Sequence, residues 1–196
     1  MIGASGDAGG TARADELADH LLTEFGSLGA VLAASPRRLE RVLRGAGSTT
    51  HGISRFNAAA THVLRSRITD RPLFSCLPDV VDYLRFDMSF IVHERVRVLH
   101  LDARNHLIRD EQVGEGTATR AVVEVRSIIE RAIDLGSASL ILVHNHPSGD
   151  PTPSRQDIDL TIRIADEARR HGIAVMDHLI IGAEKAYSMH LAGILA

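Results

Sequence analysis

A chain of 196 residues is long enough for one ordinary domain with a small accessory unit, and its 44% hydrophobic and 24% charged residues exclude a disordered chain. A net charge of −3 excludes an overall electrostatic bias toward nucleic acid or anionic membrane, and no apolar run nears the roughly 20 residues that span a bilayer, so no membrane partner is expected. The single cysteine, Cys76, excludes an internal disulfide and suits a reducing cytoplasm.

Residues 1–12 are rich in Gly and Ala, without the basic start or long apolar core of a secretory signal, and read as a flexible start. Helical periodicity begins near Arg13, with Leu17, Leu21, Leu22 and Phe25 at three- and four-residue spacing. Gly26 and Gly29 break it. Ser35-Pro36 reads as the next helix start, Ser as N-cap and Pro at the first helical position, followed by Leu39, Val42 and Leu43. After Gly45-Ala46-Gly47 a third helix is predicted over about residues 53–67. Arg37, Arg38, Arg41, Arg44, Arg55, Arg65 and Arg67 face only Glu40 and Asp70, so this unit is locally basic. Such arginines usually form a solvated helix face; weak DNA binding is the functional alternative.

Residues 70–74 read as a linker, with Cys76 as a small, partly buried residue beside it. A helix follows near residues 79–85. Glu94 then stands immediately before a strand at 95–101, with a turn at 102–105 and a second strand over about 106–113. Val122, Val125, Ile129, Ala132 and Ile133 form a helical stripe ended by Gly136. Residues 138–143 are nearly all apolar, as expected of a strand covered on both faces. A loop at 147–153, a helix at 155–170 with Ile158, Ile162 and Ala165 on one side, and a strand at 173–181 complete the chain. Strands alternating with helices predict an α/β fold, a layered sheet with flanking helices over residues 70–196, preceded by a small all-α unit over 1–69.

The run His144-Asn145-His146-Pro147-Ser148-Gly149-Asp150-Pro151-Thr152-Pro153-Ser154-Arg155-Gln156-Asp157 carries the chemistry. Side chains two apart on a strand face the same way, so His144 and His146 can reach one cation while Asn145 points to the opposite face. Asp157, in the first turn of the next helix, can bring a carboxylate to the same point. Two neutral imidazoles, one carboxylate and one open position suit a catalytic zinc ion. Ser154 and Asp157 also have a purely structural reading, an N-cap serine with an acid in the first turn. Both readings can hold together, since capping would fix the geometry of the ligand.

The spacing H-x-H-x7-S-x2-D resembles the JAMM (MPN-plus) metalloprotease motif, whose upstream glutamate stands just before the first strand of its domain, as Glu94 does here. The wording from His144 to Ser154, with Asp177-His178-Leu179-Ile180-Ile181-Gly182, Gly116-Thr117 and Ala132, is similar to the bacterial RadC family. That resemblance covers about residues 70–196, and residues 13–67 resemble the RadC N-terminal helical region loosely. It implies a zinc-dependent amide hydrolase acting on a protein or peptide, of the JAMM fold related in its layers to the cytidine deaminases. By it, His144, His146 and Asp157 ligate zinc, Glu94 takes a proton from water and hands it to the leaving group, and Ser154 hydrogen-bonds the oxyanion.

The chain departs from the RadC pattern V-x-P-R-E with Val123-Glu124-Val125-Arg126-Ser127, and its helix-hairpin-helix turn reads Gly45-Ala46-Gly47-Ser48-Thr49-Thr50-His51-Gly52-Ile53. Glu111, on the second strand, is the alternative base, and Asp177-His178 is either next to the site or purely structural. Two function classes follow: a zinc-dependent peptidase or isopeptidase, and a DNA-associated (DNA repair-related) protein whose metal domain is accessory or a nuclease. A zinc deaminase would need H-x-E with P-C-x-x-C, which one cysteine cannot supply.

Overall fold

A computed structural model describes residues 8–44, 47–117, 120–121 and 123–195. Gly45, Ala46 and Val122, which the sequence reading placed in a turn and a helical stripe, lie outside the described residues. The chain divides into two compact units, Met1–Asn57 and Ala58–Ala196, the division falling within one helix.

The first unit is helical. α1 spans Ala8–Phe25, α2 Leu28–Ala33 and α3 Pro36–Val42, and α4, Gly47–Ser66, begins here. Three expectations change. Residues 8–12 are helical rather than a loose start, because extending an existing helix costs far less than nucleating one. Gly29 sits inside α2 instead of breaking a helix. The Ser27 side chain accepts a hydrogen bond from Ala30 N, and Val31 buries against Leu21, Leu39 and Leu43, which together outweigh the roughly 1 kcal/mol penalty of a helical glycine. α4 starts at Gly47, six residues before the predicted position 53, and Thr50 in its first turns is buried. Ser35 caps α3 as read, accepting from Arg38 N, with Pro36 at the first position.

The second unit is a sheet between layers of helix. Residues 70–74 are not a free linker: a 3-10 turn at Leu73–Cys76 buries Leu73 and Cys76, and α5 follows directly over Leu77–Met88. β1 (Glu94–Leu101) begins at Glu94 itself. It turns through Asp102, whose Oδ1 accepts from Arg104 N and His106 N, into β2 (Leu107–Thr117). β3 (Arg120–Ala121), α6 (Val125–Asp134), β4 (Ser139–Asn145), α7 (Arg155–Arg170), β5 (Ala174–Ile181) and β6 (Ala186–Ser188) complete it. The sheet order is β3-β2-β1-β4-β5-β6, with β4 and β5 parallel and every other pair antiparallel. This is the α/β layered fold expected from the sequence.

β4 is buried along its whole length and splits the core by the two-residue period of a strand. Ile141 and Val143 face Val80, Tyr83, Leu84 and Met88 of α5. Leu140 and Leu142 face Ile128, Ile129 and Ala132 of α6 and Ile164 and Ala168 of α7. Each such fully buried aliphatic side chain contributes about 1.5–3 kcal/mol. The buried stripe of α7 is Thr161, Ile164 and Ala168, while Ile158 and Ala165 are half-buried and Ile162 is 44% exposed. The expected Ile158–Ile162–Ala165 stripe is thus rotated by about one residue, because β5 as well as β4 sets the facing surface. Among the described residues no helix is long and apolar enough to cross a membrane.

Candidate metal centre

The two-residue period that sends Leu140 and Leu142 toward α7 sends His144 the same way, at the C-terminal end of β4. His144 is 4% exposed. His146 follows just past the strand end, where its backbone N–H donates to Ile181 O across to β5. Asp157 comes from the first turn of α7. Ser154 is its N-cap and makes a full capping box: Ser154 Oγ accepts from Asp157 N, and Asp157 Oδ2 accepts from Ser154 N at 2.7 Å. Ser154 Oγ–H also donates to Asp157 Oδ2 at 2.6 Å. The structural reading of this pair is met in full, and the cap holds the Asp157 carboxylate where the histidines converge.

His144 Nε2 lies 2.9 Å from His146 Nε2 and 3.3 Å from Asp157 Oδ1, and His146 Nε2 lies 3.5 Å from Asp157 Oδ2. Zinc bonds of about 2.0–2.1 Å in a tetrahedron set ligand atoms about 3.3–3.4 Å apart, a spacing that the His144 separation from Asp157 Oδ1 matches and that the 2.9 Å between the two ring nitrogens falls short of. The one potential ligand atom from each of the three residues falls within 4.8 Å of the others. The hydrogen-bond pattern makes the same demand. His146 Nδ1 faces the Asp150 carbonyl at 2.7 Å, and a carbonyl only accepts, so the proton sits on Nδ1 and Nε2 carries a lone pair. A lone pair there, 2.9 Å from a second ring nitrogen and beside a carboxylate, calls for a positive charge between them, a proton or a metal ion. The donor set of two imidazoles and a carboxylate fits zinc.

The electrostatics match that charge. Burial lowers the His144 pKa to about 4, against the attraction of Asp157. The hydrogen bond to Asp157 raises the His146 pKa despite burial, with help from the Asp150 carbonyl and the charges of Asp157 and Glu94. Burial disfavours the Asp157 carboxylate, but hydrogen bonds from His146 and Ser154 outweigh it and hold its pKa far below the usual carboxylate range.

Glu94 approaches along β1. Val96 pairs with His144 at the end of the antiparallel ladder, and Glu94, two residues before Val96 on β1, is near enough for its charge to act on the His146 imidazole. Glu111 lies elsewhere. Opposite Val98 and bonded to Arg131 at 2.9 Å, it stands 3.6 Å from His100, four residues along β1 from the partner of His144. The guanidinium of Arg131 holds its pKa below the ordinary value.

Two contributors escaped the sequence reading, or were left open by it. Asn145, between the histidines and fully buried, faces away from them as expected and clamps the segment that leads into Glu94. Its Oδ1 accepts from Arg95 N at 2.9 Å, and its Nδ2 donates to His93 O at 3.0 Å and Ile91 O at 3.3 Å. An asparagine between two histidines was the available signal. His178 is the second. It touches the site directly, with Nε2 2.7 Å from His144 Nδ1, while Asp177 is structural, accepting from His178 N, His190 N and Ser188 Oγ. Cys76 is buried on the α5 side, and burial raises its thiol pKa.

Comparison with known proteins gives a consistent picture. Residues 74–194 match the family model described as a RadC-like JAB domain. A UPF0758 protein of Rhodobacter capsulatus is 42% identical over 179 residues, covering 91% of this chain and 84% of that protein. A UPF0758 protein of Ruegeria pomeroyi is 38% identical over 179 residues, covering 91% and 80%.

Proposed function

The chain belongs to the RadC-like JAB domain family, and from that premise we propose that it is a zinc-dependent amide-bond hydrolase of metallopeptidase or isopeptidase type. The observation that carries this reading is the convergence of His144, His146 and Asp157 on one point, with the Glu94 charge acting on His146. Zinc there would act as a Lewis acid on the scissile carbonyl and make water acidic enough to attack near neutral pH.

The chain's own residues have separate tasks. His144 and His146 would hold the ion through Nε2, and Asp157 through a carboxylate oxygen. Glu94 would accept a proton from the attacking water and return it to the leaving amine. Ser154 Oγ–H, which now donates to Asp157 Oδ2, would turn to the developing oxyanion. The Ser154 backbone N–H keeps its bond to the same carboxylate oxygen, so the ligand stays in place while the hydroxyl moves. His144 is buried against the core, whereas Ser154 is exposed, so a peptide or protein substrate would approach from the Ser154 side.

Elemental analysis of protein never exposed to chelator tests the metal: about one zinc per chain is expected, and no zinc together with no uptake on titration refutes the reading. Turnover is then sought on peptide amides and on lysine-linked isopeptide amides. Glu94→Gln should keep zinc and abolish cleavage, while Glu111→Gln should cleave normally. The reverse pattern would make Glu111 the base.

A further inference from the structure

On the side of His144 facing away from the metal point, three buried side chains run in sequence. His144 Nδ1 lies 2.7 Å from His178 Nε2, His178 Nδ1 lies 2.5 Å from Thr161 Oγ1, and Thr161 Oγ1 lies 2.5 Å from the Asp157 carbonyl oxygen. His178 is 2% exposed and Thr161 is fully buried, so no solvent enters the chain of bonds.

The direction of these bonds follows from their last member. A backbone carbonyl only accepts, so the Thr161 hydroxyl donates to Asp157 O. Its oxygen is then the acceptor for His178 Nδ1–H. A neutral imidazole has one N–H, so His178 Nε2 bears a lone pair and accepts from His144 Nδ1–H. That leaves His144 Nε2 without a proton, aimed at His146 and Asp157. His146 is set in the same tautomer by the Asp150 carbonyl. Asp157 thus acts twice, as a carboxylate at the metal point and as the carbonyl that ends the relay.

We propose that His178 and Thr161 are positioning residues of the metal centre, a relay from the Asp157 carbonyl that fixes His144 in the tautomer and ring orientation needed to bind a cation through Nε2. The proposal rests on the metal reading above. Its physical basis is general: a ligating histidine needs its second nitrogen held by a partner, and losing that partner typically costs about 10–100-fold in metal affinity. Register explains how a residue so distant in sequence serves here. β4 and β5 are parallel with Leu142 opposite His178, so His178 falls on the same face as His144 and beneath α7.

The test uses the full chain with zinc alone as the probe. Zinc affinity is measured by competition with a chromophoric chelator for wild type, Thr161→Val, Thr161→Ser and His178→Leu. Thr161→Val should weaken zinc by about ten-fold and His178→Leu by about 10–100-fold, while Thr161→Ser, which keeps the hydroxyl, stays near wild type. Long-range nitrogen–proton NMR of metal-free wild type should place the protons of His144 and His178 on Nδ1. A folded Thr161→Val with wild-type affinity overturns the relay, and so does a wild-type His144 carrying its proton on Nε2. If Thr161→Val fails to fold, the wild-type tautomers decide. If wild type itself takes up no zinc, the metal reading fails, and the same tautomer measurement still judges the relay.

Discussion

Gly182, at the turn between β5 and β6, has no room for a side chain. A Cβ built there meets Gly149 O at 2.4 Å, Pro151 Cδ at 2.9 Å and Lys185 O at 3.1 Å. Ordinary contact begins near 3.4 Å, so Gly182→Ala forces the 147–153 loop and the β5–β6 turn apart by about 1 Å. The obstructing atom is a backbone oxygen rather than a flexible tip, and Gly149 O is itself the acceptor for Ala183 N at 3.0 Å. Overpacking of this kind costs about 1–3 kcal/mol. The displacement also reaches the metal centre. The same loop carries the Asp150 carbonyl, 2.7 Å from His146 Nδ1, and a shift of about 1 Å takes that bond beyond hydrogen-bond length. His146 then loses the partner that fixes its tautomer, at a typical cost of about 10–100-fold in zinc affinity. Chelator competition and thermal unfolding read both effects. Gly52→Ala, on α4 with nothing near its Cβ, serves as a control and should leave zinc binding unchanged. A Gly182→Ala protein with wild-type melting temperature and wild-type zinc affinity would refute the reasoning.

Asn145→Ala should leave three partly buried backbone groups of residues 91–95 without their partner, at about 1–3 kcal/mol for each group that finds no water, lowering the melting temperature while zinc binding persists. Loss of zinc equal to that of a His146 variant would contradict this division of tasks. Metal-free protein should lose stability as pH falls below about 6.5, because unfolded histidines then take up protons that buried His144 and His100 resist. For His144, with its folded pKa near 4, the loss accumulates between about pH 6.5 and 4 and amounts to about 3 kcal/mol. His146 acts oppositely, its raised pKa giving stability that is present below about pH 6.5 and lost as pH rises through its folded value. Denaturant midpoints of chelated protein between pH 4 and 8 should therefore show an interior maximum, and a monotonic rise through that range would refute the assignment. The exposed Arg37, Arg38, Arg41 and Arg44 of the first unit should bind double-stranded DNA weakly at most, with a log–log salt slope near −0.9 per phosphate contact. Tight binding at physiological salt, lost on changing these arginines to Ala, would put a nucleic-acid role first.

Much of this protein is written locally in its sequence. His144 and His146 share a face because strands alternate, Ser154 and Asp157 cap α7 because that spacing closes a first helical turn, and the apolar run of β4 is what a strand covered on both sides carries. These are relations across two to four residues, where backbone geometry alone sets which side chains meet. Other features depended on pairing between distant segments. His178 reaches His144 only through the parallel register of β4 and β5, and Asn145 grips residues 91–95 only because β1 and β4 run antiparallel beside each other. The buried stripe of α7 turned by a residue because two strands, not one, set its contact surface, and Leu73 of the expected linker, with Cys76 beside it, went into the core of the α5 face. Gly182 needs to be glycine only because another loop crosses within contact distance of it. Chain periodicity says which way a side chain points, but register and packing choose what it meets there, and those arise from the burial of the whole sheet between its helices.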